Sequence, residues 1–142
     1  MGYEFLAHTA EIGVRAWGKD LAEAFAEAAR GMFAVMYEAD SVGEALVRQV
    51  EVSAPDPEAL LVEWLNALLY RATVDHAVFG RFDVTVEPPK DGGEWRLKAT
   101  VYGEPVDPNR HRFGLEVKAA TYHGLRVQTA DGRAEVQVIL DV

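Results

Sequence analysis

The stretch that most constrains the fold begins at Asp56-Pro57. Beyond it, Leu60, Leu61, Trp64, Leu65, Leu68 and Leu69 recur at three- and four-residue steps. That spacing makes a wide apolar stripe along one side of an α-helix, suited to lying on a sheet. Asp56 is the expected N-cap, and Pro57 at the first helical position gives up no needed hydrogen bond. The helix is predicted to run to about Thr73 and to be the main hydrophobic anchor. Such a stripe needs strands to cover it, and candidate strands stand both before and after it in the chain.

A second helix is expected from Asp20 to Tyr37. Asp20 is its N-cap, and Glu23 three residues on completes a capping-box-like pattern. Leu21, Phe25, Ala28, Met32 and Met36 form its apolar stripe. Gly31 costs about 1 kcal/mol against alanine in a helix interior; close approach of a sheet is the expected reason for it.

Strands are read from alternation. Ile12, Val14 and Ala16 alternate with Gly13, Arg15 and Trp17, giving a strand over Ile12 to Trp17. Others are expected at Leu46 to Ser53, Phe82 to Val86, Trp95 to Val101, Leu115 to Tyr122, Leu125 to Thr129 and Val136 to Asp141. Asp91-Gly92 and Asp131-Gly132 are hairpin turns. Gly103 to Arg112 reads as an irregular polar loop holding Glu104, Asp107 and His111. Alternation in nearly every strand favours antiparallel pairing. The predicted class is α+β, with two amphipathic helices packed on one face of a mixed, mostly antiparallel sheet.

At 142 residues the chain is expected to form one domain over 1–142. A domain of this size buries about 70% of its unfolded surface and needs no staples. The chain has no cysteine, which excludes disulfides, thiolate metal sites and a cysteine nucleophile. Its formal net charge of −9 repels phosphate backbones, so direct nucleic-acid binding is not expected. A basic protein partner or a cation fits that charge. Met1 to Leu6 is short and carries Glu4, unlike a secretory leader, and no apolar run reaches membrane-spanning length. The expected location is cytoplasmic.

Chemistry-bearing residues gather at the two chain ends. Glu11 shares parity with Arg15, off the core face of its strand. Asp141 lies on the polar parity of the last strand, one residue before Val142. If the first and last strands are neighbours, Glu11 and Asp141 project from the same side, with the Val142 α-carboxylate close by. Three such groups repel one another and favour a bound cation or a raised pKa. Hard oxygen donors suit Ca²⁺, Mg²⁺ or Mn²⁺. The bland alternative is two unrelated solvated carboxylates. His8, His76, His111 and His123 show no close zinc spacing, although a metal-dependent hydrolase using His8, Glu11 and Asp141 is open as an alternative. Lys118 faces away from Leu115 and Val117, as a solvated lysine or as an anion contact near the carboxylates. No phosphate loop, dinucleotide fingerprint or serine elbow is present.

Four segments occur in a fixed order: His8-Thr9-Ala10-Glu11-Ile12-Gly13, Glu63-Trp64-Leu65-Asn66-Ala67-Leu68-Leu69-Tyr70, Val117-Lys118-Ala119-Ala120-Thr121-Tyr122-His123 and Ile139-Leu140-Asp141-Val142. Together they resemble the archease family, essentially end to end. The resemblance implies a protein cofactor of the RtcB-type tRNA-splicing ligase, one that promotes guanylylation of the ligase and sustains multiple turnover without joining RNA itself. It implies a divalent-metal site, taken to hold calcium in relatives, at Glu11, Asp141 and Val142. Relatives usually carry Asp where this chain has Glu11, so the carboxylate is kept on a side chain one methylene longer. A chaperone-like module for RNA-processing enzymes is a further alternative.

Overall fold

The computed structural model describes residues 1–7, 11–39 and 41–142. In chain order the elements are β1 (Gly2–Ala7), β2 (Glu11–Gly18), α1 (Leu21–Met36), β3 (Tyr37–Glu38), β4 (Leu46–Ala54), α2 (Pro57–Asp75), β5 (Ala77–Glu87), β6 (Trp95–Pro105), β7 (Arg112–Phe113), β8 (Ala119–Ala130) and β9 (Arg133–Asp141). The class is α+β, as expected. The strands divide between a four-stranded sheet ordered β1-β2-β9-β8 and a three-stranded sheet ordered β4-β6-β5, with β3 and β7 as a short extra pair. Every pairing among the described residues is antiparallel.

Both helices touch both larger sheets. α1 packs on β2 and β5, and α2 packs on β8 and β4. The sequence suggests one covered sheet; the structure has two, because alternation marks which side of a strand is apolar and not which strands pair. Phe25, Met32, Leu60, Leu61, Trp64, Leu65 and Leu68 are fully buried between the layers. The Trp64 indole N–H donates to Phe25 O at 3.0 Å, tying α2 to α1 inside the core.

The helix starts follow their caps. Asp20 accepts from the Glu23 N–H at 2.9 Å, and Asp56 accepts from the Ala59 N–H at 2.7 Å. The Glu23 carboxylate accepts from the Lys19 N–H at 3.2 Å, one residue before the cap. Gly31 is explained by proximity: a Cβ there would stand 2.9 Å from Val14 Cγ1 and 3.0 Å from Tyr3 Cδ1. α1 thus lies on β1 and β2 with no room for a methyl group.

Three segments differ from the sequence reading. β1 precedes the first expected strand, because Gly2–Ala7 has little alternation of its own and is recruited by the backbone of β2. The two strands expected around His123-Gly124 form one, β8, with an irregular register between Thr121 and Arg126; residues 115–118 lie outside it. The expected polar loop is the clearest correction. β6 continues through Pro105, and Glu104 and His111 are both buried. The Glu104 carboxylate accepts from the Gly43 N–H and from Arg110, while His111 Nδ1 accepts from the Asp107 N–H at 2.8 Å. Glu104 and His111 are turned inward, while Arg110 reaches the Glu104 carboxylate from an exposed position. No helix among the described residues is long and apolar enough to cross a membrane.

Candidate metal centre

The first and last long strands of the chain are neighbours, and their register decides the site. β9 is the central partner of β2 and β8, and Glu11 stands directly opposite Asp141. Residues directly opposite on an antiparallel ladder point to the same face, with Cβ atoms about 5 Å apart. The core parity of the pair is taken by Ile12 and Leu140 beside them. Asp141 is exposed, while Glu11 and Val142 are half-buried, so the carboxylates stand at the end of the ladder where the sheet meets solvent.

The other side of Asp141 is held by β8. Ala119 is its cross-strand partner there, and the Lys118 N–H donates to Asp141 O at 2.8 Å. Lys118 itself is exposed. It meets the carboxylate strand through its backbone.

Asn66, which lies in the Glu63 to Tyr70 segment but outside the apolar stripe, helps to place this corner. Asn66 on α2 donates through Nδ2 to Ala120 O at 3.3 Å and accepts at Oδ1 from the Ala120 N–H at 2.9 Å. Its amide imitates a strand partner on the outer edge of β8, one residue from the Ala119–Asp141 pair. The available signal was a polar amide among leucines, in a helix interior that asparagine does not favour. Asn66→Ala is expected to lower the unfolding free energy by about 2 kcal/mol, since both Ala120 groups lose their partner. Urea denaturation measures this, with Asn66→Asp recovering only the acceptor half.

The remaining predicted groups do not gather here. His8, Thr9 and Ala10 of the first motif lie outside the described residues. His76 caps the C-terminus of α2 in a left-handed conformation at φ 48°. His111 is buried in the Glu104 cluster, and His123 is exposed on the irregular part of β8. No group of three or more His, Asp or Glu side chains poised for a metal occurs among the described residues.

The donors at the ladder end are therefore two side-chain carboxylates, with Val142 next in the chain. Their chemistry fits a hard divalent cation. Like charges placed directly opposite on a ladder are destabilising, and an intervening cation relieves that repulsion. Glu11, Asp141 and Val142 are the residues that would hold it.

Residues 3–142 match the model of the Archease protein family. The archease of Methanosarcina acetivorans is 43% identical over 141 residues, covering 99% of this chain and 95% of that protein. The solution structure of protein 1598 from Methanobacterium thermoautotrophicum superposes with a TM-score of 0.85 at 35% identity, covering 99% of each chain. The crystal structure of an archease from Thermotoga maritima, described as a possible chaperone, shares the fold. It has a TM-score of 0.60 at 20% identity and covers 96% of this chain and 94% of its own.

Proposed function

As the chain belongs to the archease family, we propose that it is a non-enzymatic activator of an RtcB-type RNA ligase in tRNA splicing or RNA repair. In this reading it promotes guanylylation of the ligase and its repeated turnover. The observation that carries the reading is the Glu11–Asp141 register, which sets two carboxylates face to face beside the last residue. Ca²⁺ is the favoured ion, with Mg²⁺ or Mn²⁺ as alternatives of the same donor chemistry. When bound, the cation supplies positive charge at the edge of an otherwise acidic protein. Glu11 and Asp141 would hold the cation, on the base that the paired strands β2 and β9 give them.

Support comes from the ordered motifs, from the family, and from the absence of cysteine and of a recognisable serine elbow in the sequence. The description of the Thermotoga maritima protein as a possible chaperone also agrees with action on a protein partner. The test is guanylylation of purified ligase with and without this protein, across divalent metals. Asp141→Ala is expected to reduce stimulation more than about tenfold, and Glu11→Ala to do the same or nearly so. Full stimulation by both variants would remove the site from the mechanism. Turnover of a phosphoester without ligase would favour the hydrolase reading, and capture of many RNA-processing clients the general chaperone.

A further inference from the structure

The part of β8 that flanks Asp141 is short. Ala119, Ala120 and Thr121 pair with Asp141, Leu140 and Ile139, and then the pairing breaks until Arg126, opposite Gln137. Inside the break Gly124 adopts φ 65°, and its carbonyl accepts from Gln137 Nε2 at 3.0 Å. On the other side, residues 114–118 lie outside any strand. β8 is also an edge of its sheet, so no further strand steadies it. A ladder end this short, cut off from the rest of its strand, opens readily. The β2 side gives Asp141 only partial support, because Glu11–Asp141 is the terminal pair of that ladder.

Two side chains hold the short end of β8. Thr121 Oγ1 donates to Ile139 O at 2.9 Å. From the opposite side, the Asn66 amide takes both backbone groups of Ala120. Backbone groups of successive strand residues point alternately to the two sides of the strand. With those of Ala120 engaged by α2, those of Ala119 and Thr121 are turned toward β9. Just beyond, the Lys118 N–H reaches Asp141 O. Asn66 is itself well fixed: Trp64, Leu65 and Leu68 around it are fully buried, and the Trp64 indole is bonded to Phe25 O. The helix core thus sets the position of the last residues of the sheet through one amide.

We propose that Asn66 is a positioning residue of the metal centre: by clamping Ala120 it keeps β8 against β9 and sets Asp141 for the cation. Asn66 touches no cation in this scheme; it acts through the backbone of residues 118–120. Loss of a partner that orients a ligating group lowers metal affinity about 10- to 100-fold. The inference rests on the reading of Glu11, Asp141 and Val142 as a cation site.

The experiment is calorimetric titration of the full chain with Ca²⁺, Mg²⁺ and Mn²⁺, at a temperature where circular dichroism shows each variant folded. The wild type is expected to bind, and Asp141→Ala to abolish binding. Asn66→Ala should raise the Kd about tenfold or more. Val50→Ala, a core truncation in the other sheet, should keep the wild-type Kd, since a general loss of stability does not move the affinity of the folded protein. Asn66→Gln keeps an amide on a longer side chain and should lie between wild type and alanine; it carries the comparison if alanine does not fold. Amide exchange of Lys118 in the cation-free protein, read by NMR, should quicken in Asn66→Ala and not in Val50→Ala. Wild-type affinity in the Asn66 variants overturns the inference, and so does an equal loss in Val50→Ala. A wild type that binds none of the three ions, or binding that survives Asp141→Ala, overturns the cation reading and the inference with it; that failure is visible before Asn66 is changed.

Discussion

Replacing Trp64 with alanine should lower the unfolding free energy by about 4 kcal/mol, the largest single effect expected in this chain. Trp64 is fully buried, lies edge-on to Phe82 at 6.1 Å between ring centroids, and donates its indole N–H to Phe25 O. Alanine leaves a cavity where helix meets sheet and removes that carbonyl's indole donor. Domains of this kind have only about 5–15 kcal/mol in total, so the variant sits near the edge of folding. Trp64→Phe separates the two contributions. It keeps most of the volume and loses the hydrogen bond, so it should fall well short of the alanine effect. Guanidinium or urea unfolding by circular dichroism gives both values. An alanine loss below about 1 kcal/mol would mean that α2 is not the anchor described above.

Glu104→Gln should destabilise the protein by about 3 kcal/mol at neutral pH, and the size of the loss should depend on pH. The Gly43 N–H, and after it Arg110 and His111, hold the Glu104 carboxyl below its ordinary value of 4.5, against the opposing effect of burial. His111 is locked in place by its Nδ1, which accepts from the Asp107 N–H, and its Nε2 lies 3.2 Å from Glu104 Oε2. Because the folded-state pKa is depressed, the unfolded chain takes up the proton first as pH falls. The stabilisation by Glu104 is then complete above the ordinary carboxylate range and disappears as pH drops through the lower folded value. The difference between wild type and Glu104→Gln should be constant from neutrality down to about pH 5 and shrink below it. Urea unfolding at a series of pH values measures this. A difference that widens toward acid would show that the carboxylate is not the stabilised form. The physical consequence is local: Glu104 joins the end of β6 to the segment around Gly43 and to the 107–111 turn, so its protonation should loosen both.

Much of the scaffold was legible because its signals are local. Asp20 and Asp56 announced the helix starts, since a cap acts on an N–H three residues away. The Leu60 to Leu69 stripe identified the buried face of α2, because helical periodicity fixes which side chains share a side. Asp91-Gly92 and Asp131-Gly132 turn with positive φ at both positions, as that residue pair favours. Parity also assigned Glu11 and Asp141 to the polar sides of their strands.

Other features carried no local signal. Gly2–Ala7 becomes a strand only because β2 offers it an edge. Glu104 and His111 looked like loop polarity, yet each is buried because partners 61 and 4 residues distant, Gly43 and Asp107, meet them in the fold. Asn66 was hidden among leucines until α2 settled on the edge of β8.

The carboxylates of the opening motif and the last strand show where the division falls. The amino-acid order already shows that Glu11 and Asp141 are acidic, that they stand on the polar parity of two strands, and that Val142 follows. That they face each other follows only from the folded pairing of β2 with β9. β2 and β9 come from opposite ends of the chain, and they pair in the one register that buries Val14 and Ala16 against the helices with Val138 and Val136, and sets the half-buried Ile12 opposite the buried Leu140. Slipping that register by one residue would turn the apolar row to solvent. Hydrophobic burial, which says nothing about charge, is therefore what holds two carboxylates opposite one another at the end of the ladder.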